Sequence, residues 1–129
     1  MNDRLEFIGK PVAKPRMTRA DQWKKRPVVE RYWLFKDAIN KQAKKQNFQL
    51  GKAYKVTFVV ALPKSMSMKR KQALTGKPHM LRPDLDNMIK SLNDCLMKED
   101  SSVHYLVARK IWGIGGKIIV ENYPENLEF

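Results

Sequence analysis

Residues 82–90 read Arg82-Pro83-Asp84-Leu85-Asp86-Asn87-Met88-Ile89-Lys90. The prediction of structure for the second half of the chain starts from this stretch. Pro83 disfavours a helical backbone at Arg82, so the pattern predicts a helix that starts within residues 84–86. Lys90 would then lie one turn beyond Asp86 on the same helix face. The apolar stripe of this helix would consist of Leu85, Met88, Ile89, Leu92 and Leu96.

The stretch also concentrates acid in a chain that otherwise avoids it. Residues 1–82 hold 21 lysines and arginines against 5 acids, and no carboxylate occurs between Asp37 and Asp84. Residues 83–100 then hold 5 carboxylates against 2 lysines. A surface built to attract a polyanion gains from such a cluster only if the cluster binds a cation. This contrast predicts a divalent-metal site within a nucleic-acid-binding surface, and therefore a nuclease.

The residue types in the acidic segment suit metal-assisted chemistry. Carboxylate oxygens are the ligands that Mg²⁺ prefers, and Mn²⁺ accepts the same set. Asp84 and Asp86 would supply two carboxylates, and Asp100 could supply a third if the turn after Met97 is tight. Lys90 could stabilise charge that develops on phosphoryl oxygens. The structural alternative is that both aspartates are ordinary helix-cap and first-turn acids, with Lys90 as their ion-pair partner.

Composition limits the class of protein. A chain of 129 residues supports one domain, and a net charge of +13 favours nucleic acid as the partner, although an anionic membrane surface fits the charge alone. The apolar run from Val56 to Pro63 is far shorter than the roughly 20 residues of a membrane span. Cys95 is the only cysteine, which excludes an internal disulfide. The N-terminus has no apolar signal core, so we expect a cytoplasmic protein.

Periodicity predicts a single α/β (α+β) domain, with a mixed sheet, two main helices and the order β-α-β-α-β-β. Strands are expected at residues 3–9 and 54–62, with an amphipathic helix at 28–46 between them. Residues 103–112 and 117–123 flank Gly113-Ile114-Gly115-Gly116, which predicts a hairpin. Two basic loops, 10–27 and 64–83, complete the domain, the second with at most one helical turn.

The basic loops flank the acidic segment and would bind phosphates without reading sequence. The candidate DNA-binding residues are Lys14, Arg16, Arg19, Lys69, Arg70, Lys71, Lys77 and Arg82. Trp23, Trp33 and Trp112 could stack on bases, but core or interface positions suit them better. His79 and His104 are candidate general bases without a visible orienting partner.

Three segments carry a resemblance to a known family. Residues 82–90, then Asn93-Asp94-Cys95-Leu96, then Glu99-Asp100-Ser101-Ser102-Val103 resemble the signature of the RusA family of Holliday-junction resolvases. In that signature an R-x-D-L-D-N-x-x-K helix precedes D-A-L and an acidic pair. The segment from Gly9 to Thr18 is similar to the family's N-terminal G-x-P-x-x-K-x-R motif, and Gly76-Lys77-Pro78-His79 is similar to a G-K-P-H motif of its phage-type members.

The resemblance implies a homodimeric, Mg²⁺-dependent endonuclease, in which two subunits cut opposing strands of a four-way DNA junction. It assigns the metal ligands to Asp84, Asp86 and Asp100 and the essential lysine to Lys90. The segment between Asp94 and the acidic pair is shorter than in the family, which leaves Glu99 as a substitute third ligand. Asp94 also matches a family position, where we expect it to hold structure.

Two other functions fit the sequence. One is a nuclease for other branched DNA, since sequence cannot separate these substrates. The other is a non-catalytic, basic nucleic-acid-binding protein whose carboxylates merely cap a helix.

Overall fold

The computed structural model describes residues 2–16 and 26–124, which form four strands and three helices. In chain order these are β1 (Arg4–Ile8), α1 (Pro27–Lys45), β2 (Ala53–Ala61), α2 (Met68–Leu74), α3 (Leu85–Leu96), β3 (Tyr105–Gly113) and β4 (Lys117–Asn122). The predicted α+β class with a mixed sheet is confirmed. The basic loop expected at 64–83 is wrong in part, because its middle forms α2, capped by the side chain of Ser67. The two main helices predicted are α1 and α3, and α2 is a short third helix in the described chain.

Helix α1 forms where the sequence predicts it. Pro27 stands in the first turn, where its missing N–H is not needed, and two lysines end the helix, where they oppose the negative end of its dipole. Its buried face recurs every three or four residues. This face consists of Val29, Tyr32, Phe35, Ile39 and Ala43.

The sheet has the strand order β1-β4-β2-β3. β2 pairs parallel with β3 and antiparallel with β4, while β1 pairs antiparallel with β4. β2 is the most apolar strand, and six of its first seven residues are buried, on both faces, which suits a central position. Helices α1 and α3 pack together against one face of this sheet.

The hairpin expected between β3 and β4 is wrong, because β2 lies between them. The connection 114–116 passes over the end of β2, where the N–H of Leu62 donates to the carbonyl of Gly113 at 2.8 Å. Two strand spacings amount to about 10 Å, which a connection of this length can span. Glycine is required here because a Cβ at Gly113 would collide with Val59, and one at Gly116 would lie 3.0 Å from the Cα of Lys10. The glycine-rich turn thus serves a close crossing rather than a tight hairpin.

Both edges of the sheet are partly covered. On β1, the side-chain amides of Gln42 and Gln46 pair with the backbone of Ile8 and Glu6 at 2.9–3.1 Å. On β3, residues 76–79 add a short antiparallel segment, in which the N–H of His79 donates to the carbonyl of Lys110 at 3.1 Å. This second cover runs directly into the start of α3, so the sheet edge and the acidic helix are connected.

The core lies between the sheet and α1 with α3. Fully buried side chains from both layers meet there, and each buried side chain of this size contributes about 1.5–3 kcal/mol through removal of apolar surface from water. The largest are Tyr32, Tyr54, Phe58, Leu5, Ile39, Met88, Leu92 and Ile118.

Candidate active site

The first turn of α3 presents two exposed carboxylates. Asp84 is the N-cap residue, with an extended backbone (φ −66°, ψ 141°), and Asp86 lies in the first helical turn. The predicted start of this helix within 84–86 is confirmed. Both side chains are exposed, as is that of Lys90 one turn later.

The contacts that a purely structural role would require are missing from these residues. The side chain of Asp84 accepts no cap hydrogen bond, although Ser67 does so at the start of α2. Among the described residues, neither Asp84 nor Asp86 forms an ion pair, and Lys90 bonds to neither of them. An acid placed at a helix start without its capping bond leaves its oxygens available to a ligand. The helix-cap alternative therefore loses its main support.

The third carboxylate lies in the connection between α3 and β3. α3 ends at Leu96, and the carbonyl of Asp100 accepts a hydrogen bond from the N–H of Val103 at 3.1 Å. Glu99 is engaged locally, since its carboxylate accepts from the hydroxyl of Ser101 at 2.8 Å. The Asp100 side chain has no such partner among the described residues, so Asp100 is the freer of the two acids.

A buried hydrogen bond lies beside this connection. The hydroxyl of Tyr54 on β2 donates to the side-chain oxygen of Asn93, which is buried two turns beyond Asp86 on α3. Burial raises the pKa of Tyr54 to about 12 against the opposing effect of the Asn93 bond, and the negative charge of Asp100 adds to the rise. Asp100 is therefore close enough for its charge to act on the hydroxyl of Tyr54, which is itself bonded to Asn93 of α3. Sequence reasoning did not single out Tyr54 for this place.

The carboxylate oxygens of Asp84, Asp86 and Asp100 suit a hard divalent cation, but the three side chains do not converge on one point. Within residues 2–16 and 26–124, no three His, Cys, Asp or Glu side chains form a group that could hold a metal ion. Three bare carboxylates repel one another, so their approach to a common point requires a bound cation. The free oxygens of Asp84, Asp86 and Asp100 fit that requirement, since no structural contact has to be broken first.

The lysine and arginine candidates differ in their surroundings. Lys14 is bound, because its ammonium lies 2.9 Å from the carboxylate of Asp94. Arg16 is exposed, and its carbonyl accepts from Arg26 at 2.8 Å. Arg19 lies outside the described residues, as does Trp23. The remaining candidates are exposed on or beside α2 and before α3, except for a half-buried Lys71: Lys69, Arg70, Lys71, Lys77 and Arg82.

Lys110 is a site-supporting residue that the sequence pattern did not indicate. Its ammonium donates to the carbonyls of Leu81 at 2.5 Å and Pro83 at 2.7 Å. β3 thereby holds the chain immediately before Asp84. A lysine in the middle of a strand is the only signal that the sequence offers, and surface lysines give the same signal.

The buried and half-exposed histidine and tryptophan candidates pack against neighbouring side chains. His79 is buried, and its ring meets that of Trp112 edge-on at a centroid distance of 4.3 Å. Burial, with the nearby charge of Lys110, lowers the pKa of His79. A buried imidazole cannot reach a phosphate, so His79 is not the general base. His104 is exposed, and Trp33 lies half-exposed on α1 beneath the ammonium of Lys36.

A cavity of about 550 Å³ lies on the sheet face away from α1 and α3, next to the end of α2. Its walls come from β1 to β4 and from the Gly113–Gly116 crossing, and they include Arg4, Thr57 and Arg109. None of Asp84, Asp86, Lys90 or Asp100 lines it. The exposed start of α3, rather than this cavity, carries the candidate chemistry.

A comparison with protein families identifies a match that spans almost the whole chain. The family described as "Endodeoxyribonuclease RusA" matches residues 9–121. Among curated proteins, none matches this chain. None of the helices in the described residues is long and apolar enough to cross a membrane.

Proposed function

The chain belongs to the RusA family of endodeoxyribonucleases, and we propose that it is a Mg²⁺-dependent enzyme that resolves four-way (Holliday) DNA junctions by paired phosphodiester hydrolysis. Recombination and DNA repair generate such junctions. One observation carries the proposal beyond the family match. The aspartates at the start of α3 and the lysine one turn later have no structural partner among the described residues, whereas Asp94 further along the same helix is held by Lys14 and Tyr32.

The chain's own residues have separable roles in this proposal. Asp84, Asp86 and Asp100 would hold Mg²⁺ or Mn²⁺, which would supply Lewis-acid activation and a more acidic bound water. Lys90 donates to a non-bridging phosphoryl oxygen and stabilises the negative charge that builds there. Lys110 keeps the segment before Asp84 in place through two backbone carbonyls.

The exposed basic residues supply affinity for the DNA backbone. Phosphate contacts of this kind carry no sequence information, which suits an enzyme that selects a branched structure. A homodimer fits the substrate, because a two-fold protein can place two cuts symmetrically in a two-fold junction. We place this activity in the cytoplasm.

The test is cleavage of a synthetic mobile four-way junction, a flap and a linear duplex of the same sequence, each with and without Mg²⁺. We expect paired nicks in the junction only when Mg²⁺ is present, and much slower cleavage of the duplex. Preferential cleavage of the flap would instead assign the enzyme to other branched DNA. Binding without cleavage under any metal condition would leave a non-catalytic DNA-binding protein.

A further inference from the structure

The carboxylate of Asp94 has two close partners from distant parts of the chain. On α3 it accepts from the hydroxyl of Tyr32 at 2.8 Å and pairs with the ammonium of Lys14 at 2.9 Å. Tyr32 itself is almost fully buried on α1. The carboxylate is thus fixed by the core on one side and by an N-terminal segment on the other.

The segment that Asp94 binds crosses the first turn of α3. We call residues 10–16 the arm. Val12 and Ala13 of the arm pack against the core, and the N–H of Lys14 lies 3.4 Å from the carbonyl of Asn87, the residue after Asp86. The long backbone contact at Asn87 is weak by itself. The Lys14–Asp94 pair is therefore the main polar attachment of the arm to α3.

We propose that Asp94 is a positioning residue, which acts through Lys14 to hold the arm, and with it Arg16, across the first turn of α3 beside the candidate carboxylates. This inference rests on the proposed function, because it takes DNA as the ligand of the arm. It also changes the role expected for Lys14 from a phosphate contact to an anchor. Arg16 follows two residues later and is exposed, and within residues 2–16 and 26–124 its guanidinium has no hydrogen bond or ion pair, so it can meet a phosphate.

If Asp94 anchors the arm, neutralising Asp94 changes the affinity for the DNA junction in the direction opposite to that expected from its charge alone. Removing a negative charge from a DNA-binding surface relieves repulsion of phosphates, so an isolated surface acid gives tighter binding when it is neutralised. If Asp94 instead holds the arm, its neutralisation releases the arm and weakens binding. The sign of the change in junction affinity therefore separates the two roles.

The experiment compares Asp94→Asn, Lys14→Met and the double variant, with Asp37→Asn as the matched control. Asp37 is an exposed acid on α1 with no ion-pair partner among the described residues. We expect each single variant to raise the KM for the junction about five-fold, a size suited to one partly exposed ion pair, with kcat nearly unchanged. The double variant should match either single one, because both changes break one contact. Asp37→Asn should bind the junction as the wild type does or more tightly, and Lys14→Arg should restore the wild-type KM.

Hydrogen exchange at the amides of Val12, Ala13 and Lys14, measured without DNA, provides a second readout. We expect faster exchange in Asp94→Asn and Lys14→Met than in Asp37→Asn. Tighter junction binding by Asp94→Asn, or unchanged exchange in the arm, would overturn the anchor role. A wild-type protein that fails to cut the junction in Mg²⁺ would overturn the proposed function instead, whereas the exchange result would still decide whether Asp94 anchors the arm.

Discussion

The carboxylates at the two ends of α3 have different surroundings. At the first turn, Asp84 and Asp86 are exposed and have no ion pair or cap bond among the described residues. Toward the other end, Asp94 is held by Lys14 and Tyr32. Asp94 therefore has contacts that stabilise the fold, whereas the side-chain oxygens of Asp84 and Asp86 have no such contacts among the described residues. The difference lies in the partners that the tertiary structure brings to each position, since the residue type is the same.

The largest expected effect comes from the first turn of α3, where Asp84 and Asp86 lie. Asp86→Asn should reduce cleavage by about a thousand-fold or more, since a bound metal contributes several kcal/mol to the transition state. Junction binding should be retained or tightened, because one negative charge is lost from a basic surface. Cleavage and mobility-shift assays of the same preparation would measure both, with Asp37→Asn as the control. Cleavage by Asp86→Asn at the wild-type rate in Mg²⁺ would remove this residue from the metal site.

The connection after α3 allows a test of the third ligand. Asp100→Asn should be inactive and Glu99→Gln only impaired, because Glu99 already accepts a bond from Ser101, whereas the Asp100 side chain has no hydrogen bond or ion pair among the described residues. Cleavage rates of the two variants over a series of Mg²⁺ concentrations would decide it. An inactive Glu99→Gln beside an active Asp100→Asn would shift the ligand by one position.

Lys90→Ala should slow cleavage by roughly 100- to 1,000-fold, or about 2.7–4 kcal/mol, if its ammonium acts as oxyanion-hole donors do. Binding should hardly change, because the chain has 26 lysines and arginines. Single-turnover rates at saturating enzyme would isolate the chemical step. Equal losses of rate and affinity would make Lys90 a phosphate contact rather than a catalytic residue.

The smallest expected effect is on stability, and it comes from Asp94 near the C-terminal end of α3. Burial acts to raise the pKa of Asp94, but the bonds from Lys14 and Tyr32, with the charges of Lys14 and Lys36, outweigh it and lower that pKa below the ordinary 3.8. A lowered pKa in the folded state stabilises the fold above the ordinary value, and this contribution is lost as the pH falls through the folded-state value. Asp94→Asn should therefore reduce the free energy of unfolding by about 1 kcal/mol or less near neutral pH.

Urea unfolding at a series of pH values would measure this difference. The gap between wild type and Asp94→Asn should narrow as the pH falls below 3.8. Asp86→Asn should leave stability unchanged across the series, since that side chain has no ion pair in the described part of the chain. A loss of stability in Asp86→Asn as large as that in Asp94→Asn would contradict the division between the two ends of α3.

Much of the candidate site could be predicted because it is local in sequence. Pro83 and the apolar spacing that follows it fix the start of α3, and helical geometry then places Asp86 and Lys90 on one face. The order of strands could not be predicted in the same way. The Gly113–Gly116 segment suits a hairpin by turn chemistry, but the same glycines allow a crossing over β2.

The sequence by itself determined α1, α3, the strands, the basic charge and the acidic segment, because these depend on neighbours within a few residues. Only the tertiary structure decided which charges are already satisfied. Lys14 and Asp94 lie 80 residues apart, and Lys110 on β3 reaches the carbonyls of Leu81 and Pro83 in the loop before α3. Such contacts depend on how the elements pack, and the residue types alone do not distinguish an anchoring lysine from one that is free to bind a phosphate.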